Sequence, residues 1–353
     1  MVLALFNGSY IGKRNTGIGV VSNGLISSLP SDLVGFLDPI NSGRSGSIEI
    51  PSNLSPDNGL KGHLKRLYWV EKHVPRYMRD TGASYLLSPL PEAPLFSPVK
   101  SIVLAHDLVP LRFPDSLALF TYYSLYVPKV LNKAELILCN SEATARELNH
   151  KLKIPISKLV TIKLGFDRQK IYPLNLTRKN FFLVLGRHNP HKNLSRVLKA
   201  LKTIREKSYK IVFVGPSDSR YTPKLKQMAA DMQISDQITW LDWVSDDEKL
   251  LLLNQCRALI IPSLWEGFGL PALEAMACGT PVIASDTGAL KEVVCRSSLL
   301  INPYSSESIA DAMLEIYINS SLRSKAKVDG PEQASKFDWN NTSAQIQDIL
   351  NNL

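Results

Sequence analysis

The sequence predicts an α/β protein made of two domains, each with a doubly wound parallel sheet. Apolar runs of strand length alternate with segments of helical periodicity along the whole chain, as in successive right-handed βαβ units. The chain has 353 residues, which is too long for one ordinary core and suits two domains of about 150 to 200 residues each.

The composition is that of a soluble globular protein, with 44% hydrophobic and 21% charged residues. No apolar run approaches the roughly eighteen residues that span a bilayer. The opening run VLALF reads as a first strand and not as a signal peptide. The four cysteines form no Cys-x-x-Cys pair and no metal spacing. We therefore expect a cytoplasmic protein.

The net charge of +9 is concentrated in the first half of the chain. Residues 1–165 contain 18 Lys and Arg against 12 Asp and Glu, a net of +6. Such an excess can attract anionic lipid, a diphosphate-bearing acceptor or nucleic acid. No RNA-recognition, helix-turn-helix or zinc-finger signature is present, so nucleic acid is not an expected partner.

A glycine-rich loop follows the first strand and leads into a helix. Gly17 and Gly19 could let the backbone approach a phosphate or a sugar ring. The third glycine of a dinucleotide fingerprint is replaced by Ser22, so that kind of site is not predicted.

A basic segment, residues 61–79, has six Lys or Arg interleaved with apolar residues. Leu64, Leu67 and Tyr68 share one face at helical spacing, until Pro75 interrupts the helix. One interpretation is a solvated basic face over a stripe that packs in the core. The other is a helix lying on an anionic membrane surface, near a lipid-linked acceptor.

The second half opens with a buried strand, Phe181 to Leu185, followed by a loop with Arg187 and Lys192 and then a helix of clear 3.6-residue period. Two cations at the carboxyl end of a parallel strand suit a diphosphate leaving group.

The stretch from Ala258 to Val294 constrains the function most. It predicts a strand (Ala258 to Pro262), a loop with Glu266, a helix opened by Pro271 and closed by Gly279, and a strand (Pro281 to Ala284). Glu274 is expected in the first helical turn. A helix N-terminus with adjacent glycines suits phosphate, and carboxylates can accept hydrogen bonds from sugar hydroxyls. Spacing alone is equally typical of any strand-helix unit.

Three strings in this sequence carry a resemblance to a known family: SLWEGFGLPALEAMACGTPVIAS, GRHNPHKN and HDLVPLRFPD. The first closely resembles the Glu-x7-Glu signature of the family-4 retaining glycosyltransferases. The third is similar to a motif of bacterial polysaccharide and O-antigen mannosyl- and glucosyltransferases in that family. The resemblance implies the GT-B fold, in which two Rossmann-like domains face each other across a cleft.

The resemblance also implies roles for individual residues. Glu274 would hold the ribose, Glu266 the hexose hydroxyls, and Arg187 and Lys192 the departing diphosphate. His106 would lie near the reacting centre. The other donor-binding positions implied are Gly17, Gly19, Val244, Gly267, Phe268, Gly269 and Leu270. Trp243 and Val244 would lie where the nucleobase stacks, although Trp243 could equally pack in the core.

The same resemblance places the domain boundary near the segment that ends in Asp167. We expect an acceptor-side domain over residues 1–168 and a nucleotide-sugar domain over 169–335. The last helix, in residues 336–353, is expected to cross back to the first domain, with Trp339 as its anchoring aromatic residue.

No metal and no cofactor are predicted. The chain contains no Asp-x-Asp motif, and the run from Ser245 to Glu248 is explained by a capping box. The function expected is metal-independent, retaining transfer of a hexose, with mannose or glucose favoured, from a nucleoside-diphosphate sugar. The acceptor is expected to be a glycan, a lipid-linked oligosaccharide or a small glycoside. The enzyme is expected in the cytoplasm, either free or peripheral at the inner face of the membrane. The alternatives are a GT-B-fold sugar-nucleotide isomerase, a sugar-nucleotide binder without turnover, and a membrane-recruited interaction protein.

Overall fold

The computed structural model describes residues 2–12, 16–39, 46–204 and 208–353. These residues form two compact units. Unit 1 comprises residues 1–166 together with 337–353, and unit 2 comprises residues 167–336. Each unit has its own parallel sheet, so the predicted α/β class is confirmed.

Unit 1 has a seven-stranded sheet in the order β3-β2-β1-β4-β5-β6-β7, and every neighbouring pair is parallel. Because helices cover both faces of such a sheet, its inner strands are mostly apolar and buried. The strands are β1 (Ala4–Asn7), β2 (Val34–Asp38), β3 (Ser47–Glu49), β4 (Tyr85–Ser88), β5 (Ser101–Ala105), β6 (Leu136–Cys139) and β7 (Leu159–Thr161). The helices are α1 (Gly17–Ser28), α2 (Gly59–Thr81), α3 (Val109–Arg112), α4 (Leu117–Thr121), α5 (Val127–Lys133) and α6 (Glu142–Leu152), with a π-helical turn at Tyr122–Tyr126.

The second helix departs from the sequence prediction in two respects. It runs through Pro75 without ending, since proline removes only one backbone hydrogen bond of the helix. The stripe predicted to pack in the core is also wrong, because Leu64 and Tyr68 are exposed. The buried face is formed instead by Gly62, Arg66, Trp69, Val70, Val74 and Met78.

Unit 2 has a six-stranded parallel sheet in the order β10-β9-β8-β11-β12-β13. Its strands are β8 (Phe181–Leu185), β9 (Lys210–Val214), β10 (Ile238–Leu241), β11 (Ala258–Ile261), β12 (Val282–Ser285) and β13 (Leu299–Ile301). The helices are α7 (Leu194–Thr203), α8 (Thr222–Asp231), α9 (Asp246–Gln255), α10 (Leu270–Ala277), α11 (Leu290–Val293), α12 (Ser306–Ile318) and α13 (Ser320–Ala334). The predicted capping box of Ser245 and Glu248 opens α9.

A single arginine fastens the segment that leads into β8. The Arg178 guanidinium donates hydrogen bonds to four carbonyl oxygens and one hydroxyl: Leu253 O at 3.0 Å, Cys256 O at 3.1 Å, Cys278 O at 3.2 Å, Gly279 O at 2.9 Å and Thr280 Oγ1 at 2.5 Å. Burial lowers the pKa of Arg178. This one side chain therefore joins the ends of α9 and α10 to the start of the sheet.

The final helix, α14 (Trp339–Asn351), packs within unit 1. Its Trp339 ring lies against two glycines, because a Cβ on Gly24 would come within 2.1 Å of the ring and one on Gly165 within 2.8 Å. Thr342 Oγ1 donates to Lys163 O at 2.7 Å. Close approach of backbone to an indole ring explains why glycine occupies both positions.

Candidate active site

The loops after β8 and β11 meet at one edge of the unit 2 sheet. These two strands are parallel neighbours, so their carboxyl ends lie side by side. Leu264 N donates to His191 O at 2.8 Å, which joins the two loops through their backbones. Lys192 Nζ donates to Glu266 Oε1 at 2.6 Å, which joins them through their side chains. The structure thus brings two sequence-predicted site residues into contact.

The Glu266 carboxylate is held in its ionised form. Ser263 Oγ also donates to Oε1, at 2.6 Å. Burial by itself raises the pKa of Glu266, but the Lys192 charge and the hydrogen bonds from Lys192 and Ser263 outweigh it, so the pKa lies below its ordinary value. The stabilisation from this pairing is complete above the ordinary glutamate pKa and is lost as the pH falls through the lower folded value.

The backbone of Glu266 is fixed by a glycine in the loop after β12, the next strand in sequence. Ala289 N donates to Glu266 O at 3.0 Å. Gly288 has a φ of +59°, and a Cβ there would lie 2.4 Å from the same carbonyl oxygen. Only glycine satisfies both conditions without moving Glu266.

The Lys192 loop is anchored by Asn193. This residue is buried and left-handed, with a φ of +61°, a conformation that asparagine tolerates better than most residues. Its Nδ2 donates to Pro262 O at 2.8 Å and to Pro303 O at 2.7 Å. One amide therefore ties together the loops after β8, β11 and β13.

Helix α10 begins at Leu270, with Gly269 as a left-handed N-cap at φ +103°. A Cβ on Gly269 would lie 2.6 Å from Leu290 Cδ2. Gly267, Phe268 and Gly269 form the turn that leads into this helix N-terminus. The prediction that Glu274 lies in the first turn is wrong, because Glu274 is the fifth helical residue. The macrodipole, which acts mainly on the first turn, therefore does not explain this acid.

Glu274 has its own lysine partner. Lys249, in the first turns of α9, donates from Nζ to Glu274 Oε1 at 2.8 Å. Both side chains are largely buried. Each of the two carboxylates of the Glu-x7-Glu signature is thus paired with a lysine from a different element.

Three other predicted residues lie at the carboxyl ends of neighbouring strands. Arg187 is exposed directly after β8, and its charge contributes to lowering the pKa of Asp218 after β9. Val244 is half-buried after β10. Trp243 is 78% exposed, so it does not pack in the core. The aromatic residue that does so is Trp240, whose ring stacks on Phe213 at 4.6 Å.

Unit 1 contains a cavity of about 90 Å³ at the carboxyl ends of β4 and β5. His106, which directly follows β5, lines it. Its wall also contains a buried ion pair, in which Arg66 Nε donates to Glu92 Oε2 at 2.7 Å and Arg66 Nη2 to Oε1 at 2.8 Å. Tyr122 OH donates to the same carboxylate at 3.3 Å.

The protonation state of His106 follows from its surroundings. Burial lowers the pKa of His106, so the ring is neutral at neutral pH. Nε2 lies 2.7 Å from Pro89 O, which can only accept, so Nε2 carries the proton. Nδ1 is therefore the acceptor nitrogen of this ring.

Gly17 and Gly19 lie in the first turn of α1, and not in the preceding loop. Thr16 Oγ1 accepts from Gly19 N at 3.1 Å as the N-cap. Ile18, between the two glycines, lines the unit 1 cavity. Within the described ranges, no group of His, Cys, Asp and Glu side chains is arranged to hold a metal ion.

Residues 167–333 match the family model described as Glycosyl transferases group 1. The second unit is a group 1 glycosyl transferase domain. All the contacts of Lys192, Glu266 and Glu274 described above lie within the matched range.

The chain is also similar to curated relatives. It is 29% identical to the O-antigen chain mannosyltransferase RfbU of Salmonella typhimurium over 214 residues, which is 61% of this chain and 60% of that protein. It is 25% identical to the serotype-specific mannosyltransferase WbdA of Escherichia coli over 291 residues, which is 77% of this chain and 35% of that protein. The chain thus covers less than two thirds of the length of either relative.

The structure resembles that of HepE from Anabaena in complex with UDP and glucose, with a TM-score of 0.78, 17% identity and coverage of 100% of both chains. At this identity the similarity shows the fold alone. The chain has the GT-B fold, with two Rossmann-like parallel-sheet domains.

The sequence did not single out the residues that hold the candidate site in place. Ser263, Lys249 and Gly288 carry no local signal, since each acts through a contact distant in sequence. Asn193 had one usable signal: asparagine is common as the left-handed residue that ends a helical turn, here the 3-10 turn Pro190–Lys192.

Proposed function

We propose that this chain is a retaining, metal-independent hexosyltransferase that uses a nucleoside-diphosphate sugar, with mannose or glucose favoured. The observation that carries the proposal is the contact of Lys192 with Glu266 beside the N-terminus of α10. It combines a cation for a diphosphate with a carboxylate for sugar hydroxyls. The mannosyltransferase relatives and the UDP and glucose complex of HepE support the same class.

The leaving diphosphate is the first task of the site. Arg187 and Lys192 stabilise the charge that develops on it, an electrostatic contribution of about 3 to 4 kcal/mol per important donor. The backbone N–H groups at the start of α10 add a partial positive charge. No metal ion or cofactor is required in this proposal.

The sugar is held by the carboxylates. Among the described residues both donors to Glu266 reach Oε1, which leaves Oε2 to accept from hexose hydroxyls. Glu274 holds the ribose. Glu266 is a binding group here and not a nucleophile: the acceptor oxygen bonds to the anomeric carbon on the face that the phosphate leaves, and the leaving phosphate oxygen takes the acceptor proton.

The acceptor, a glycan, a lipid-linked oligosaccharide or a small glycoside, is assigned to unit 1. The cavity beside His106 offers aromatic walls and a neutral imidazole whose Nδ1 can accept a hydrogen bond from a hydroxyl group. His106 then serves to orient a hydroxyl group without adding charge.

Donor binding and transfer test this proposal separately. GDP-mannose, UDP-glucose and ADP-glucose are compared by thermal shift, where a donor at 100 times its Kd stabilises the protein by about 2.7 kcal/mol. Lys192→Ala should weaken donor binding at least tenfold, while Lys202→Ala, an exposed lysine on α7, should not. Absence of a shift with every donor, or equal binding by both variants, would refute the proposed site.

Product analysis then distinguishes the alternative functions. A transferase consumes donor in an acceptor-dependent reaction and keeps the anomeric configuration of the hexose. An isomerase alters the donor without any acceptor, and a binder alters nothing. A glycosyl intermediate trapped on Glu266 would replace the same-face mechanism with a double displacement.

A further inference from the structure

Helix α2 carries an apolar strip on its outer face. Leu60 and Leu64 are each 58% exposed and Tyr68 is 65% exposed. Their spacing of four residues places them in a row on one side of the helix. Three large apolar side chains in a row are unusual on a helix whose opposite face is already packed in the core.

A rigid loop presents a further aromatic residue next to this strip. Phe96 is 91% exposed. Glu71, one turn beyond Tyr68 on α2, accepts from Leu95 N at 2.7 Å and from Phe96 N at 3.0 Å. The Glu71 carboxylate therefore holds the loop against α2.

The other side of the same loop is held by a lysine. Lys133 Nζ donates to Pro94 O at 2.8 Å and to Leu95 O at 2.9 Å, and also to Ser97 O. Because the backbone is fixed on both sides, Phe96 is held in its exposed position before any partner binds. The loop therefore loses little conformational entropy when Phe96 inserts into an apolar environment.

The charges beside the strip are positive. Lys61 and Lys65 are exposed along the flank of the row, and the exposed Lys72 continues the row one turn beyond Tyr68. The two acidic side chains of α2 are engaged, Glu71 by the loop and Asp80 by Arg76 at 3.4 Å. An apolar row bordered by lysines fits the interface of an anionic bilayer, where apolar side chains enter the acyl boundary and cations meet the headgroups.

We propose that Leu60, Leu64, Tyr68 and Phe96 form a membrane-docking surface, and that the adjacent lysines select anionic bilayers. No helix in the described part of the chain is long and apolar enough to span a bilayer, so this contact is peripheral. His63 and Arg66 on the same helix line the unit 1 cavity. If the cavity takes the acceptor, a point that depends on the proposed function, docking brings it to lipid-linked acceptors.

Vesicle co-sedimentation of the full chain tests the surface without donor or turnover. Wild type should bind phosphatidylcholine vesicles that contain phosphatidylglycerol, and bind pure phosphatidylcholine at least tenfold more weakly. Leu64→Glu with Tyr68→Glu, and separately Phe96→Glu, should each lower the affinity for the mixed vesicles at least tenfold. The matched control is Ile318→Glu, a 72% exposed apolar residue at the end of α12, which should bind like wild type.

The cations are tested in the same assay. Lys61→Glu with Lys65→Glu should abolish the preference for anionic vesicles, and Lys199→Glu with Lys202→Glu on α7 should leave it intact. Unchanged thermal unfolding and donor-induced shift in each variant confirm that unit 2 still works, so a failure here is distinct from a failure of the proposed function. Equal binding by all variants, or no binding by wild type, would overturn the proposed membrane-docking surface. A change of oligomeric state in Leu64→Glu with Tyr68→Glu would also overturn it, because the strip would then be a self-association face.

Discussion

Gly288→Ala should disable the candidate site without changing the chemistry of any predicted functional side chain. The new Cβ would lie 2.4 Å from Glu266 O, whereas ordinary contacts begin at 3.4 Å. The backbone of Glu266 must therefore retreat by about 1 Å, and a misplacement of that size in an active site can cost about 100-fold in rate. We expect kcat/KM to fall by about that factor.

A second glycine separates this effect from simple backbone strain. Gly59 has a φ of +57°, almost the same as the +59° of Gly288, but a Cβ on Gly59 would have no heavy atom within 4 Å. Gly59 has a ψ of −143°, a region open mainly to glycine, so Gly59→Ala introduces backbone strain without a new contact. Gly59→Ala should therefore lose stability and keep its full activity.

Donor consumption at saturating acceptor gives kcat/KM, donor titration followed by thermal shift gives affinity, and urea unfolding gives stability. Both variants should lose stability, and Gly288→Ala alone should lose donor affinity and turnover. Wild-type turnover in Gly288→Ala would show that the position of Glu266 does not matter to the reaction, and would refute the role assigned to this carboxylate.

Three further variants probe other buried charges. Glu92→Gln should lower the free energy of unfolding by about 3 to 5 kcal/mol, because Arg66 is left buried and unpaired; Arg66→Met with Glu92→Leu should recover most of this loss in urea titrations. Lys192→Ala should move the acid limit of donor affinity to higher pH, since burial then raises the pKa of Glu266 without the cation that lowers it; an unchanged pH profile would contradict this. Arg178→Met should cost about 3 kcal/mol of stability in the same titrations, since several buried carbonyls lose their donor.

The fold was predictable from the sequence for elements that are buried on both faces. Phe181–Leu185 was located to the residue, because a strand inside a parallel sheet is a continuous apolar run. The orientation of α2 was not predictable in this way. A hydrophobic pattern assigns leucines to the buried face of the helix, but Arg66 is buried there instead. That arginine is buried only because Glu92, 26 residues away, supplies its counter-charge. Pairings of this range leave no periodic trace in the sequence.

The candidate site also contains some features that the sequence predicted and others that it did not. Lys192 and Glu266 were expected to serve one site, and the structure joins them at 2.6 Å. The first turn assigned to Glu274 was wrong, because the helix begins at Leu270, one residue earlier than predicted, and Glu274 is its fifth residue. Gly288 could not be predicted at all: its importance depends on a carbonyl oxygen that only the folded loop brings close.

The two lysine partners also constrain how a donor would enter the proposed site. In the structure the Lys192 and Lys249 charges are offset by Glu266 and Glu274, so the four side chains together are neutral. A diphosphate that approaches Lys192 must share it with Glu266, and each glutamate must release part of its lysine contact to accept a hydroxyl. Sugar hydroxyls and phosphate therefore replace interactions that already exist, and neither glutamate nor lysine is left buried without a partner. Binding then depends on geometry more than on net charge, and the affinity lost on substituting both members of a pair should differ from the sum of the two single losses.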